Sequence, residues 1–412
     1  MPNWSLSAKK RVTRYCAKPI QCATGRWRRS PTSSPAKRPR RAEGSGLTQE
    51  HYDIAVIGAG MAGASLAAEC APNARVLLLE AEERPGYHTT GRSAAFWEEC
   101  YGGPAIVPLT LASGAYLRDG GFLKLRGAMT IGRSADAGLI DAFVNRFSDT
   151  GATIERIGAV AMRARLPDLL PEWTEGVWQP HCSDIDVAAL HQHYLALAAR
   201  AGTRPRCRAR IARIERNAER WAIADERGRS WQASAIVNAA GAWADDVARM
   251  AGARALGIQP LRRTVAQVET DPPTDSAAPL VLDINGRFYF KPESGRLWLS
   301  PHDETPSPAV DAAPEEMAVA EAIERYQQTV DAKVTRVERR WAGLRSFSPD
   351  RAPVYGWDPT VDGFFWFAGQ GGFGIQTAPA AARLASQLLL DAPRDAMTAP
   401  LDAGLYRPGR FA

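Results

Sequence analysis

The 412-residue sequence predicts an α/β fold: a discontinuous domain with a parallel sheet, and an inserted α+β domain with an antiparallel sheet. Three observations predict it. An apolar strand pattern near the start leads into a glycine turn and a helix. Short alternating strand patterns fill the middle of the chain. A late apolar strand runs into a second glycine-rich turn and a helix. Because the first and last patterns are of one type, we expect the second domain to be inserted between them in two pieces.

The first element is a strand, glycine turn, helix and strand in that order. The apolar run 54–57 precedes the phrase Gly-Ala-Gly-Met-Ala-Gly at 58–63, which opens a predicted helix at 62–71. A second apolar run, 76–79, ends on Glu80, which is 22 positions after the first glycine. This order is typical of a dinucleotide-binding unit.

Each part of this unit has a physical role. Gly58 permits the tight turn, Gly60 lets the backbone approach a pyrophosphate, and Gly63 lets the helix pack on the strand. The helix N-terminus offers free amides and a positive dipole end, and Glu80 would accept hydrogen bonds from ribose hydroxyls. The predicted dinucleotide contacts are Gly58, Gly60, Met61, Ala62, Gly63 and Glu80.

The middle of the chain predicts helices and short strands in alternation. Helices are predicted at 109–117, 135–147, 186–201 and 314–330, the third capped by Asp184 or Asp186. Strands are predicted at 211–214, 221–224, 235–238, 264–269, 287–291 and 297–300, and the first two are typical of an antiparallel meander.

The last element favours FAD over NAD, which the first motif does not separate. The strand 364–368 runs into a glycine-rich turn, 369–374, and then a predicted helix, 375–390. Such a turn and helix end aim free amides at an electron-rich group. In a flavoenzyme that group is the pyrimidine edge of the isoalloxazine, which becomes negative on reduction.

The charge of the chain is unevenly distributed. The net charge is +6, but residues 1–50 hold 12 Lys and Arg against 2 Glu, which leaves 39 basic and 43 acidic residues in the rest. We therefore expect no nucleic-acid partner for the body of the protein. The basic tail, residues 1–50, is predicted to be disordered. It is either dispensable or a mis-assigned start, an organellar transit peptide, or a polyanion-binding segment.

The cysteines and the hydropathy pattern favour a cytoplasmic protein. No apolar run approaches the roughly 18 residues that a membrane span needs, although attachment to the inner membrane surface stays open. The six cysteines lie outside any C-x-x-C pair or His spacing, so no metal site or disulfide framework is expected. They are Cys16, Cys22, Cys70, Cys100, Cys182 and Cys207.

Six phrases in one order resemble the D-amino-acid oxidase family of FAD-dependent oxidoreductases, and its bacterial D-arginine dehydrogenases in particular. The phrases are residues 85–95, 238–243, 259–263, 288–292, 341–347 and 370–377. The resemblance implies a Rossmann-like FAD/NAD(P)-binding domain and a substrate-binding domain. The first comprises 51–102, 184–252 and 343–412; the second comprises 103–183 and 253–342.

The same resemblance implies contacts with non-covalent FAD. Ser346 lies in the region where covalently flavinylated relatives have a cysteine. The implied cofactor contacts beyond the first motif are Arg92, Ser93, Ala94, Ile211, Gly241, Gly371, Gly372, Gly374, Ile375, Gln376 and Thr377.

A substrate clamp is also implied. Arg345, helped by Arg263, would bind the substrate carboxylate, while Tyr289 and Tyr101 would close over it. A planar guanidinium suits this role because it forms two charge-assisted hydrogen bonds with a carboxylate. Arg262, beside Arg263, leaves the register of the clamp open.

Departures from the D-arginine dehydrogenases predict a different side-chain pocket, which consists of Phe96, Glu98, Ala128 and Gly372. Ala128 replaces an acid that recognises a cationic side chain; this loss removes about 1.5–3 kcal/mol of charged hydrogen bonding. With Phe96 in place of a histidine, the pocket suits a neutral or hydrophobic side chain, or a cyclic imino acid. Glu98, in place of a threonine, is expected to be solvated or helix-capping; pointing inward, it would attract an amine.

The sequence therefore predicts an enzyme, an FAD-dependent D-amino-acid dehydrogenase or oxidase. It would oxidise the Cα–N bond of a small-molecule D-amino or imino acid to an imino acid that hydrolyses to a 2-keto acid and ammonia. The electron acceptor, quinone or oxygen, stays open. Two alternatives remain: a 2-hydroxy-acid or glycerol-3-phosphate-type dehydrogenase of the same fold, and a polyanion-binding protein acting through the basic tail.

Overall fold

A computed structural model describes residues 50–217 and 219–411. Apart from Glu50, the predicted disordered tail lies outside these residues. Within the described ranges the helices are α1 Met61–Cys70, α2 Val107–Asp119, α3 Ala137–Phe147, α4 Ala159–Arg165, α5 Val187–Arg200, α6 Ala244–Met250, α7 Glu316–Gln327 and α8 Ala378–Leu389.

The strands of the described residues form three sheets. They are β1 His51–Ile57, β2 Val76–Leu79, β3 Phe96–Trp97, β4 Leu123–Leu125, β5 Ala128–Arg133, β6 Glu155–Gly158, β7 Trp173–Gln179, β8 Ser183–Ile185, β9 Pro205–Arg206, β10 Ile211–Asn217, β11 Arg220–Asp225, β12 Ser230–Asn238, β13 Gln259–Asp271, β14 Leu280–Asp283, β15 Tyr289–Glu293, β16 Arg296–Ser300, β17 Thr305–Pro306, β18 Lys333–Phe347, β19 Val354–Trp357 and β20 Phe364–Ala368.

The first sheet confirms the predicted parallel core. Its order is β10-β11-β12-β1-β2-β9, with β20 on β12 and β19 on β20. Strands β2, β1, β12 and β20 are parallel, and β10-β11-β12 is the predicted antiparallel meander. Apolar residues of α1, α5 and α8 cover one face of this sheet, so the first and last predicted helices share a core.

The second sheet has the order β17-β13-β16-β15-β14-β5-β7-β6, with β18 on β13. All of its pairs are antiparallel except β5 with β14. Helix α7 covers one face, where Tyr326 and Val319 join the buried cluster. The fold is thus mixed α/β, as predicted, and the exact division into two domains stays a prediction.

The structure confirms one predicted helix boundary and corrects another. Asp186 caps α5, because its Oδ1 accepts a hydrogen bond from the Ala189 amide at 2.8 Å. Helix α8 begins at Ala378 and not at residue 375, because the glycine turn extends further than its sequence pattern suggests. The longest helix within the described ranges has 14 residues, and none there is long and apolar enough to cross a membrane.

The glycine turn after β1 is tightly packed. Gly58 has φ +102°, which L side chains rarely adopt. A Cβ on Gly63 would lie 1.8 Å from the Gly58 carbonyl oxygen, so α1 approaches the turn only with glycine at this position.

Gly63→Ala should therefore destabilise the protein by about 1–3 kcal/mol, the usual cost of overpacking. The matched control is Gly138→Ala in α3, where an added Cβ meets nothing within 4 Å. That change should raise the free energy of unfolding by about 0.4–1 kcal/mol. Urea denaturation of both variants checks this; a Gly63→Ala variant as stable as the wild type would contradict the packing described.

Candidate functional site

A long cleft collects most of the predicted site residues. It has about 1650 Å³ of free space, including its open mouth. The predicted residues that line it are Gly58, Gly60, Met61, Ala62, Glu80, Arg92, Ser93, Ala94, Ile211, Gly241, Arg263, Tyr289, Arg345, Gly371, Gly372, Gly374 and Ile375. Those that do not are Gly63, Phe96, Glu98, Tyr101, Ala128, Gln376 and Thr377.

One end of the cleft fits a pyrophosphate. Helix α1 has no side-chain cap at Gly60 and no acidic residue in its first turn. Of its first amides, Met61 N–H donates to Thr90 Oγ1 at 2.9 Å. The remaining amides and the positive end of the helix lie at the wall of the cleft. No acidic side chain in the first turn of the helix competes with a bound anion for them.

Glu80 fits the ribose position beside this helix end. Its buried carboxylate accepts hydrogen bonds from the Ala59 amide at 3.0 Å and the Glu82 amide at 2.9 Å. These bonds fix its orientation, and each oxygen keeps a lone pair for a ribose hydroxyl. The residues present therefore fit the adenosine half of FAD.

The glycine-rich turn before α8 forms the other end. Gly371 has φ +53°, and its amide donates to the Ser346 carbonyl at 2.8 Å. A Cβ on Gly372 would lie 2.3 Å from Tyr101 Oη and 3.0 Å from Arg345 Nη1. At Gly372, therefore, only backbone atoms lie between the glycine-rich turn and the clamp residues Arg345 and Tyr101. Gln370 Nε2 is buried in this turn without a partner.

The side chains of three predicted cofactor residues form hydrogen bonds with other residues of the protein and do not point their polar groups into the cleft. Gln376 donates to Thr110 Oγ1 at 2.8 Å, and the Thr377 hydroxyl donates to a carbonyl of the turn at 2.9 Å. Both residues are buried beneath the turn. Arg92 lines the cleft, but its guanidinium donates to the Ala342 carbonyl at 3.1 Å and pairs with Asp311. Their side chains hold the walls together.

The register of β13 and β18 brings the two predicted clamp arginines together. Leu261 pairs with Arg345, and Arg263 pairs with Gly343. Paired residues and residues two apart share a sheet face, so Arg263 and Arg345 are diagonal neighbours on the same face. Arg262 points away and pairs with Glu315. The structure thus selects Arg263 over Arg262 for the cleft.

The acids beside Arg263 are shared with other arginines: Asp303 also pairs with Arg262, and Glu304 with Arg351. Arg263 is 4% exposed; its Nε donates to the Asp303 carbonyl at 2.8 Å and its Nη2 to Glu304 at 3.2 Å. Its Nη1 is buried without a partner. Within the described residues, the Arg345 side chain has no hydrogen bond or ion pair and contacts the Tyr101 ring. Burial and the nearby Arg345 lower the pKa of Arg263 to about 10.

Tyrosines stand on both sides of this pair. Tyr289 is buried and lines the cleft. Tyr101 is not part of the lining, but the Arg345 guanidinium lies 5.8 Å from the centre of its ring. The structure therefore brings together all four residues of the predicted clamp.

Sequence reasoning missed His302, which packs edge-on against Tyr289 with ring centroids 5.7 Å apart. Burial, Arg263 and Arg345 lower the pKa of this imidazole to about 2. His302 lies in an irregular segment with φ +59°, so neither periodicity nor motif spacing could have indicated it.

Glu98 differs from its expected state. It is 3% exposed and lies outside the cleft lining, so the expectation of a solvated carboxylate is wrong. Burial raises its pKa to about 8, although it accepts a hydrogen bond from the Cys100 amide at 3.0 Å. The fold therefore holds a neutral carboxyl at pH 7.

Comparisons with known proteins agree with the fold. The family described as DAO, FAD dependent oxidoreductase, matches residues 53–388. The tRNA 5-methylaminomethyl-2-thiouridine biosynthesis bifunctional protein of Burkholderia multivorans is 28% identical over 332 residues, which are 73% of this chain and 47% of that protein. The FAD-dependent oxidoreductase domain-containing protein 1 of Xenopus laevis is 26% identical over 39% of this chain and 36% of its own length. The chain thus spans about a third to a half of these relatives.

Two solved structures share the fold at 20% sequence identity. The L-proline dehydrogenase of P. horikoshii has a TM-score of 0.77 and covers 88% of this chain and 98% of its own. The glycine oxidase of Geobacillus kaustophilus has a TM-score of 0.74 and covers 87% and 98%.

The buried carboxyl of Glu98 should make stability fall as pH rises. Its folded pKa, about 8, lies above the ordinary value of 4.5, so the folded state binds the proton more tightly. That contribution is full below the ordinary value and is lost between about pH 5 and 8, at up to ~1.4 kcal/mol per pH unit. Glu98→Gln keeps the acceptor but cannot ionise, so its free energy of unfolding should lack this slope.

Urea denaturation at several pH values measures the difference. Glu155→Gln in β6, an exposed carboxylate, is the control and should follow the wild-type slope. Equal slopes for the wild type and Glu98→Gln would rule out a neutral buried carboxyl.

Proposed function

The chain belongs to the DAO family of FAD-dependent oxidoreductases, and on that premise we propose that it oxidises the Cα–N bond of a D-amino or imino acid with a neutral side chain. The observation that supports this best is the pair of guanidinium groups, Arg263 and Arg345, beside the glycine-rich turn.

The positive charges of Arg263 and Arg345 favour the binding of an anion. Arg263 is almost fully buried with one nitrogen unpartnered, and Arg345 adds a second positive charge on the same sheet face. A buried charge is costly unless it is paired, so a ligand carboxylate would relieve both groups at once. The two internal acids beside Arg263 are shared with other arginines, Glu304 with Arg351 and Asp303 with Arg262. Neither forms a hydrogen bond with Arg263 Nη1.

A carboxylate held there places the reacting carbon between the tyrosines and the glycine turn. Two fixed guanidinium groups define the position and the plane of the carboxylate. Holding a reactant in the correct orientation supplies a large part of the rate enhancement of an enzyme. On this proposal Tyr289, which lines the cleft, and Tyr101, whose ring contacts the Arg345 guanidinium, would restrict the rotation of the acid. FAD, when bound, accepts the hydride of the Cα–H bond. The resulting imino acid is hydrolysed by water to a 2-keto acid and ammonia.

His302 is not the base for the proton of the amine. The pKa of His302 is lowered to about 2, so this ring does not take up a proton near neutral pH. The amine therefore reacts from its neutral form, which binding next to two guanidinium groups favours over the ammonium.

Membership of the family also supports a proposal for the cofactor contacts and for the domain boundaries. We propose that α1 holds the pyrophosphate, Glu80 the ribose and the turn 369–377 the pyrimidine edge. On this proposal the cofactor domain comprises 51–102, 184–252 and 343–412. The segments 103–183 and 253–342 supply the substrate side of the cleft. A closer relation to the D-arginine dehydrogenases stays a prediction.

Arg345→Ala should lower kcat/KM by a factor equivalent to about 2–5 kcal/mol, because it removes the arginine that would pair with the substrate carboxylate in the cleft. The assay follows anaerobic bleaching of the flavin with D-amino, L-amino, cyclic imino and 2-hydroxy acids. We expect bleaching by amino or imino acids in the wild type.

Arg340→Ala is the control, since Arg340 lies on the same strand, is half-exposed and pairs with Glu316. It should stay within about fivefold of the wild type, as exposed ion pairs contribute little. An Arg345→Ala variant within about threefold of the wild type contradicts the clamp. Bleaching by 2-hydroxy acids alone would instead favour the 2-hydroxy-acid dehydrogenase alternative.

FAD should be bound non-covalently. Ser346 lines the cleft, and a serine hydroxyl does not form the thioether by which a cysteine holds flavin. Denaturation followed by ultrafiltration should release yellow flavin into the filtrate. Flavin that stays with the polypeptide would refute non-covalent binding, and a colourless protein that takes up no FAD would refute the whole site.

A further inference from the structure

A closed aromatic cluster ends the cleft beside the clamp. Phe96 is 7% exposed, and its ring centroid lies 5.4 Å from that of Tyr101 and 6.1 Å from that of Tyr289. Ala128 is fully buried in the same cluster. Neither Phe96 nor Ala128 lines the cleft, and both are buried.

The sheet register shows what Phe96 covers. Tyr289 pairs with Leu282, and Leu280, two residues earlier, pairs with Ala128. These residues therefore share one face of the second sheet, which continues the wall formed by Tyr289. Ala128 leaves room on that face because its side chain is a single methyl group. Phe96 lies in the same buried cluster as Ala128 and Tyr289.

The backbone behind Phe96 is held firmly. Phe96 pairs with Asp184, which accepts hydrogen bonds from Arg126 Nε at 2.6 Å and Lys291 Nζ at 2.7 Å. Lys291 is itself buried on β15, two residues after Tyr289. This ion-pair network joins β8 to the second sheet, and β8 pairs in turn with β3, the strand that bears Phe96.

We propose that Phe96 limits the size of the substrate side chain, so that the enzyme accepts amino acids of glycine or alanine size and excludes branched and aromatic ones. This inference rests on the proposed function. A carboxylate fixed by Arg263 and Arg345 projects its Cα between Tyr101 and Tyr289. The Phe96 ring packs against both tyrosines and closes that gap to a larger substituent.

The test compares kcat/KM for glycine, alanine, valine and phenylalanine, both enantiomers where they exist, in the wild type and in Phe96→Ala. In the wild type the small substrates should exceed phenylalanine by at least about tenfold, since even one methylene changes kcat/KM by 10–200-fold. Phe96→Ala should shift the ratio of phenylalanine to alanine by at least about tenfold toward phenylalanine. Phe96→Leu, which retains a folded apolar core more readily, should shift it in the same direction by less.

Phe147→Ala is the matched control. Phe147 is equally buried, but it packs in a separate cluster with Val107 and Cys100, away from the cleft lining. Its loss should destabilise the protein and leave the ratio of phenylalanine to alanine unchanged.

Three outcomes overturn the proposal. A wild type that oxidises phenylalanine as efficiently as alanine shows that Phe96 is no barrier. An unchanged ratio in both Phe96→Ala and Phe96→Leu shows the same, even if the wild type prefers small substrates. A protein whose flavin no amino or imino acid bleaches overturns the proposed function along with this inference, whereas the first two outcomes leave the proposed function intact.

Discussion

The placement of Arg263 and Arg345 side by side is the constraint on which the rest of the site depends. Two like charges repel, and the repulsion is stronger where burial lowers the effective dielectric constant. The backbone overcomes it, because the long β13–β18 pairing fixes both residues on one face. The bond from Arg263 Nε to the Asp303 carbonyl then holds one guanidinium in place. An anion bound between the two groups, as proposed above, would reduce this repulsion.

The neighbours of the pair follow from the same constraint. A protonated His302 would add a third positive charge, so this ring stays neutral. Gly343 stands opposite Arg263, and Gly372 lies where any side chain would strike Arg345 or Tyr101. Below the turn, Gln376 accepts a hydrogen bond from the Glu98 amide at 3.1 Å, which joins the turn to the segment that bears Tyr101. The cofactor end and the clamp are therefore parts of one rigid wall.

Local patterns predicted the elements of the fold well, and long-range contacts decided what the patterns left open. Strands β2 and β20 were predicted at their observed bounds, because buried parallel strands form continuous apolar runs. The choice between Arg262 and Arg263 was beyond the sequence, because a shift of one residue reverses the face of a strand. The burial of Glu98 depends on packing against distant elements, so its residue type alone suggested a solvated group.

The substrate pocket shows a further limit of sequence reasoning, which concerns volume and not polarity. Ala128, in place of an acid, and Phe96, in place of a histidine, indicated an apolar pocket. Both residues do lie in an apolar cluster. Composition, however, does not reveal whether such a pocket is open. Ala128 contributes only a methyl group to this cluster, and the Phe96 ring in the same cluster packs against Tyr101 and Tyr289. The two exchanges thus act together: one removes the partner of a cationic side chain, and the other removes the room for any long side chain.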